Sequence, residues 1–188
     1  VATPMGAEPV NTLSASGSFT GKVRHIKIAS GYGTAIFYGD FVKLVSTGTV
    51  EKDTGTSSLT PVGVFVGCSY TDPSTSQLTF NQTFPASTAA DDIMAYVVDD
   101  PNVVMQMQSS GVLSQTELGN NIAVVQTAGS TSIGRSKNSL GDTGATTNTL
   151  PMRIIEFVDG PNSAVGDAFT DALVFFNVGH QYTNTTGV

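Results

Sequence analysis

Asn102-Val103-Val104-Met105-Gln106-Met107-Gln108 changes character at nearly every step, setting Val103, Met105 and Met107 on one side and Val104, Gln106 and Gln108 on the other. A period of two belongs to a β-strand with one face packed and one face polar. Just upstream, Ile93-Met94-Ala95-Tyr96-Val97-Val98 predicts a strand that stops at Asp99-Asp100-Pro101. Pro61-Val62-Gly63-Val64-Phe65-Val66-Gly67-Cys68 is apolar on both faces, as a central strand must be, and Gly63 and Gly67 permit close backbone approach. Further out, Val23–Ile28 alternates apolar and basic residues, and Ala35–Tyr38, Phe41–Val45 and Val50–Lys52 are short strand-like runs separated by turn residues. Gln77–Phe84 predicts a ribbon, and Pro151–Val158 and Ala172–Val178 complete the set. A single short helix is expected at Ser114–Asn121, where Ser114 caps, Glu117 stands three residues on and Gly119 stops the turn. The fold class is therefore all-β, a single β-barrel or β-sandwich domain with one short helix.

Residues 1–20 are small, neutral and broken by Pro4 and Pro9, and predict an extended N-terminal arm. At about 3.3 Å per residue such an arm reaches roughly 60 Å. The β-rich body is expected over residues 21–180, with a long polar surface loop over 126–149 and a C-terminal tail over 181–188.

Only 12% of the 188 residues are charged, half the usual share, so the exterior must be largely neutral and polar. Lys and Arg number 8 against 15 Asp and Glu, a formal charge of −7, which opposes nucleic acid and anionic membranes as partners. One cysteine, Cys68, excludes an intrachain disulfide and a cysteine-built zinc site. The longest apolar runs fall far short of the roughly 20 residues that span a bilayer, and the expectation is a protein made without export. Chemistry has few parts to draw on. His25 and His180 lack helix-spaced ligand partners, Asp91-Asp92 and Asp99-Asp100 point alternately to opposite faces, and Asp159, Asp167 and Asp171 surround a turn. No Gly-x-Ser-x-Gly elbow opens a helix, and Gly31-Tyr32-Gly33 precedes a strand, unsuited to cradling phosphate. No enzyme activity, cofactor or metal is expected.

A neutral β surface is inexpensive to desolvate, because each buried charge costs several kcal/mol unless paired, whereas Thr, Ser and Gly faces do not carry that cost. This is the profile of a structural subunit. The stretch Ile28-Ala29-Ser30-Gly31-Tyr32-Gly33-Thr34-Ala35-Ile36-Phe37-Tyr38-Gly39-Asp40-Phe41-Val42-Lys43-Leu44 resembles the capsid decoration, or cement, proteins of tailed phages. The likeness continues through Pro61–Gly67, Ser114–Asn121, Leu150–Ile154 and Gly166–Asn177. It implies a β-rich virion protein on the outer surface of the capsid, bound to the major capsid protein and to itself as a homotrimer over three-fold and quasi-three-fold junctions. It carries no active-site residues. The candidate capsid or subunit interface is the arm, with Val1, Ala2, Thr3, Pro4, Met5, Pro9, Val10, Leu13 and Phe19, together with Ile133, Arg135 and Lys137 of the long loop. The alternative is a receptor- or glycan-binding module of a tail fibre or spike, although Trp is absent and Tyr scattered, leaving few platforms for sugar stacking.

Overall fold

The computed structural model describes residues 2–13, 19, 21–184 and 186–188. Its strands are β1 (Glu8–Thr12), β2 (Arg24–Lys27), β3 (Phe41–Leu44), β4 (Val50–Lys52), β5 (Gly63–Thr71), β6 (Leu78–Asn81), β7 (Met94–Val98), β8 (Val103–Gln108), β9 (Asn121–Ile122), β10 (Val124–Val125), β11 (Ser139–Leu140), β12 (Met152–Phe157) and β13 (Asp171–Phe176). The fold is all-β, as the alternating pattern requires, and every strand-to-strand ladder is antiparallel.

Two sheets carry the body. One runs β1-β8-β13-β12-β9, and the other β2-β7-β5-β3-β4 with β6 added beside β5. An isolated parallel bridge between Ile28, just past β2, and Val50 of β4 brings the two ends of the second sheet together. That sheet thus curls into a small barrel around Ile28, Ile36, Val42, Val50, Phe65, Cys68, Phe84, Ala95 and Val97. The outer side of the barrel packs against the first sheet, where Phe41, Val64 and Val98 meet Val103, Met105, Met107, Ile154, Val174 and Phe176. Because β5 serves both cores, both its faces are apolar. Gly63 lets β7 approach, since a Cβ there would lie 2.2 Å from the Val98 carbonyl oxygen.

At Ser114 the expected helix is a single 3₁₀ turn, Gln115–Glu117. The Glu117 carboxylate accepts the Ser114 backbone N–H at 2.7 Å and that of Gly144 at 2.8 Å. Gly119 ends the turn with φ +84°.

Three boundaries differ from the sequence reading. The described part of the arm, residues 2–13, is seated on its own body, with β1 as the edge strand beside β8 and a bulge between Pro9 and Asn11, while residues 1, 14–18 and 20 lie outside the described residues. An edge strand tolerates Pro9, which lacks an N–H to donate. The 126–149 segment is no simple surface excursion, because β11 pairs with β10 and buries Leu140, Ser136 and Asn138. The tail is tied in by Gln181, whose side-chain amide accepts from the Leu44 N–H at 2.6 Å and donates to the Leu44 carbonyl at 3.0 Å.

Candidate interaction surface

The arm and the long loop, expected to face outward, meet each other within one chain. Gly6 donates to the Asn138 carbonyl at 3.2 Å and Ala7 to the Gly39 carbonyl at 2.9 Å. The crossing is so close that a Cβ on Gly6 would stand 2.6 Å from both the Gly39 oxygen and the Ser136 Cβ, and Gly6 has φ +77°. Arg135 then closes the junction from outside. Its guanidinium lies 4.9 Å from the Tyr38 ring centroid, 3.4 Å from the Glu8 carboxylate and 3.5 Å from the Met5 sulfur. Beneath it Asp40, fully buried, pairs with Lys52 Nζ at 2.9 Å and accepts from the Phe37 N–H at 2.9 Å and the Asn138 amide at 3.2 Å. Three satisfied contacts at one carboxylate make this charge tolerable in the interior.

Of the candidate interface residues, Ala2, Thr3, Met5, Val10, Leu13, Ile133 and Lys137 are exposed, while Pro4, Pro9 and Arg135 are half-buried. Thr3 is held by Gln108, whose side-chain oxygen accepts its N–H at 2.7 Å, and Leu13 by the Asn102 carbonyl at 2.9 Å. Phe19 is half-buried and packs against the inter-sheet core. Val1 lies outside the described residues. Met5 and Arg135 are brought together, whereas Val10 sits on β1 and Leu13 just past its end.

A second surface was not singled out by the sequence. Leu78 and Phe80 on β6 are 61% and 69% exposed. Register places Phe80 beside Ser69 of β5, and Ser69 beside Met94 of β7, which is also exposed. The next row holds Gly67, Tyr96 and His25, the last two with ring centroids 4.6 Å apart. The first sheet covers the other end of this outer face, around Val64 and Val98, and leaves this end bare. The sequence offered only a partial signal, Leu78 and Phe80 alternating with polar residues in a stretch that has no charge between Asp72 and Asp91.

Several of the remaining titratable groups have local partners. Asp92 accepts from the Thr71 N–H and from its hydroxyl at 2.6 Å, which holds its carboxyl below the usual range. Asp99 pairs with Arg24, Asp100 accepts the Asn102 N–H at 2.9 Å, and Asp167 accepts that of Ala164 at 3.0 Å. Burial pushes the Cys68 thiol up to about 12, so it stays protonated and unreactive at neutral pH. His180 is buried against Phe176 and Tyr182, and desolvation lowers its pKa against the opposing pull of Asp99 and Asp100. Among the described residues no three His, Cys, Asp or Glu side chains are grouped to hold a metal ion, and no helix is long and apolar enough to cross a membrane.

Comparison of the chain with protein-family models, with curated proteins and with solved structures finds no match.

Proposed function

We propose that this chain is a virion structural protein, a capsid decoration or cement protein that binds the outer surface of the assembled major capsid lattice and stabilises it. The observation that carries this reading is the exposure of large apolar side chains, Leu78, Phe80 and Met94 on the second sheet and Met5, Val10 and Ile133 on the arm and long loop, in a chain with few charges. Such faces lose little on desolvation and gain about 25 cal/mol for each Å² of apolar area covered. A ligand that recognises the assembled shell and not its dispersed subunits shifts the equilibrium toward the shell by mass action. The likeness of Ile28–Leu44 and Gly166–Asn177 to decoration proteins supports the same reading. These stretches build the barrel wall and the inter-sheet core, so the likeness concerns the framework and leaves the contact face to be found.

A three-fold junction is engaged most strongly by a three-fold ligand, so the expected assembly is a homotrimer. Gold labelling of particles carrying the chain tests the class directly. Label distributed over the head supports a decoration protein; label confined to the tail supports the receptor- or glycan-binding alternative. Sedimentation of the free chain and of chain released from heads is expected to show trimers or multiples of them, and monomer in both would remove that part of the reading.

A further inference from the structure

The barrel has an edge without a guard. In the hairpin, Asp72 donates to the Gln77 carbonyl at 2.9 Å, which fixes the hydrogen-bonding phase of the β5–β6 ladder. Bonded pairs recur every second residue in an antiparallel ladder, so Thr79 and Asn81 turn their backbone groups toward β5, opposite Tyr70 and Cys68. Leu78 and Phe80 turn theirs outward, where no described residue of the chain receives them.

The other edges are protected by familiar devices. On β1 there are Glu8, Pro9 and a bulge. Strand β2 carries Arg24 and Lys27, and β4 is only three residues long with Glu51 and Lys52. At β9 there are two residues, and Asn121 is already bridged to Ala145. In contrast, β6 has no Pro, Lys or bulge, and it carries two large exposed apolar side chains.

We propose that β6 pairs with β6 of a second copy, antiparallel about a two-fold axis through Thr79. The occupant follows from charge. The chain carries a net charge of −7, and in a two-fold contact each residue near the axis meets its own counterpart, so a charge there would oppose itself. The run Ser76-Gln77-Leu78-Thr79-Phe80-Asn81-Gln82 presents no charge to oppose itself. Centred on Thr79, the pairing sets Leu78 against Phe80 of the second copy, and Phe80 against its Leu78. These are the outward-facing residues, so their backbone groups close two bonded pairs, and the Leu and Phe side chains lie side by side on one face. The contact joins two barrels into one continuous sheet. It stands independently of the capsid reading. On a shell, it would link copies seated at neighbouring three-fold positions across the two-fold between them.

The test uses the full-length chain with Thr79→Cys. At the axis the two residues form a non-bonded pair with Cα atoms about 4.5 Å apart, within disulfide range. Cys68 is buried and stays out of the reaction. Oxidation with diamide is expected to give a two-chain species on a non-reducing gel, and adding Phe80→Lys to abolish it while the thermal melt stays in place. Leu78→Lys serves as the second disruptor, chosen because both side chains are exposed and neither change enters a core. A Thr79→Cys chain that stays single under oxidant overturns the proposal. So does a cross-link that persists with either lysine. A chain that cross-links but ignores empty heads leaves the β6 pairing intact and removes the capsid reading alone.

Discussion

The arm–loop junction and the β6 ribbon make an instructive pair. Both are polar, strand-like stretches at the margin of the fold, and their sequences rank them the wrong way round. The junction has the prolines, the glycines and the free-looking cations Arg135 and Lys137, yet it is tied down by Gly6 against Gly39, by Arg135 over Tyr38 and by the buried Asp40–Lys52 pair. The ribbon looks like an ordinary hairpin, yet it leaves Leu78, Phe80 and one whole row of backbone groups uncovered. A segment's own composition says little about whether it is free. What decides it is whether another part of the chain brings the matching donors and acceptors.

This contrast breaks most sharply at Asp40. Asp40→Ala strands the buried Lys52 ammonium and the Asn138 amide, and is expected to cost about 3–5 kcal/mol in urea unfolding. Gly6→Val drives a β-branched side chain into the Gly39 carbonyl in a left-handed backbone region, with an expected loss of about 2–3 kcal/mol by the same measurement. Arg135→Ala removes a half-exposed ion pair and a ring contact, about 1 kcal/mol after solvent screening. On the ribbon the expectation reverses. Phe80→Lys shifts folding stability by no more than about 0.5 kcal/mol, because the side chain has little of its own fold to lose. If it destabilises the fold as much as Arg135→Ala does, the ribbon is no barer than the junction.

The smallest effect is a pH dependence away from both regions. Since burial lowers the His180 pKa below its unfolded value of about 6.5, the two states are equally neutral above that pH. As pH falls below it, the unfolded chain takes up a proton that the folded chain resists. Stability should therefore decline on acidification through this window, and His180→Leu should flatten that part of a melting-temperature profile. The charges facing His180 are Asp99 and Asp100, with Arg24 engaged by Asp99. An unchanged slope in the variant would assign the acid response to other groups.

Strands with a local signature were legible. Asn102–Gln108 became β8 with Met105 and Met107 inside and Gln106 and Gln108 half-exposed, as alternation demands, and Pro61–Cys68 supplied the doubly buried β5. Ser114, Glu117 and Gly119 gave the capped turn, shortened to 3₁₀ because only four residues lie between cap and stop. What stayed hidden depends on residues far apart in the chain. Closure of the barrel rests on Ile28 meeting Val50, and the docked arm rests on Gly6 meeting Gly39 and Asn138. Leu140 lies in a stretch too polar to suggest a core, yet it is completely buried by contributing one side chain to a core built elsewhere. Of the candidate interface residues, Met5 and Ile133 are exposed, the one in a neutral arm and the other beside Arg135. Leu78 and Phe80 were not singled out by the sequence, because alternation in a ribbon does not say which face the rest of the fold will cover.

Mixing the purified chain with empty expanded heads, and in parallel with dispersed major capsid protein, then sedimenting the heads, tests the central claim most directly. Saturable binding to the heads at a fixed ratio to capsid subunits, a rise in the temperature at which the shells come apart, and no complex with the dispersed subunits are the expected results. A chain that stays in the supernatant and leaves shell stability unchanged would contradict that claim.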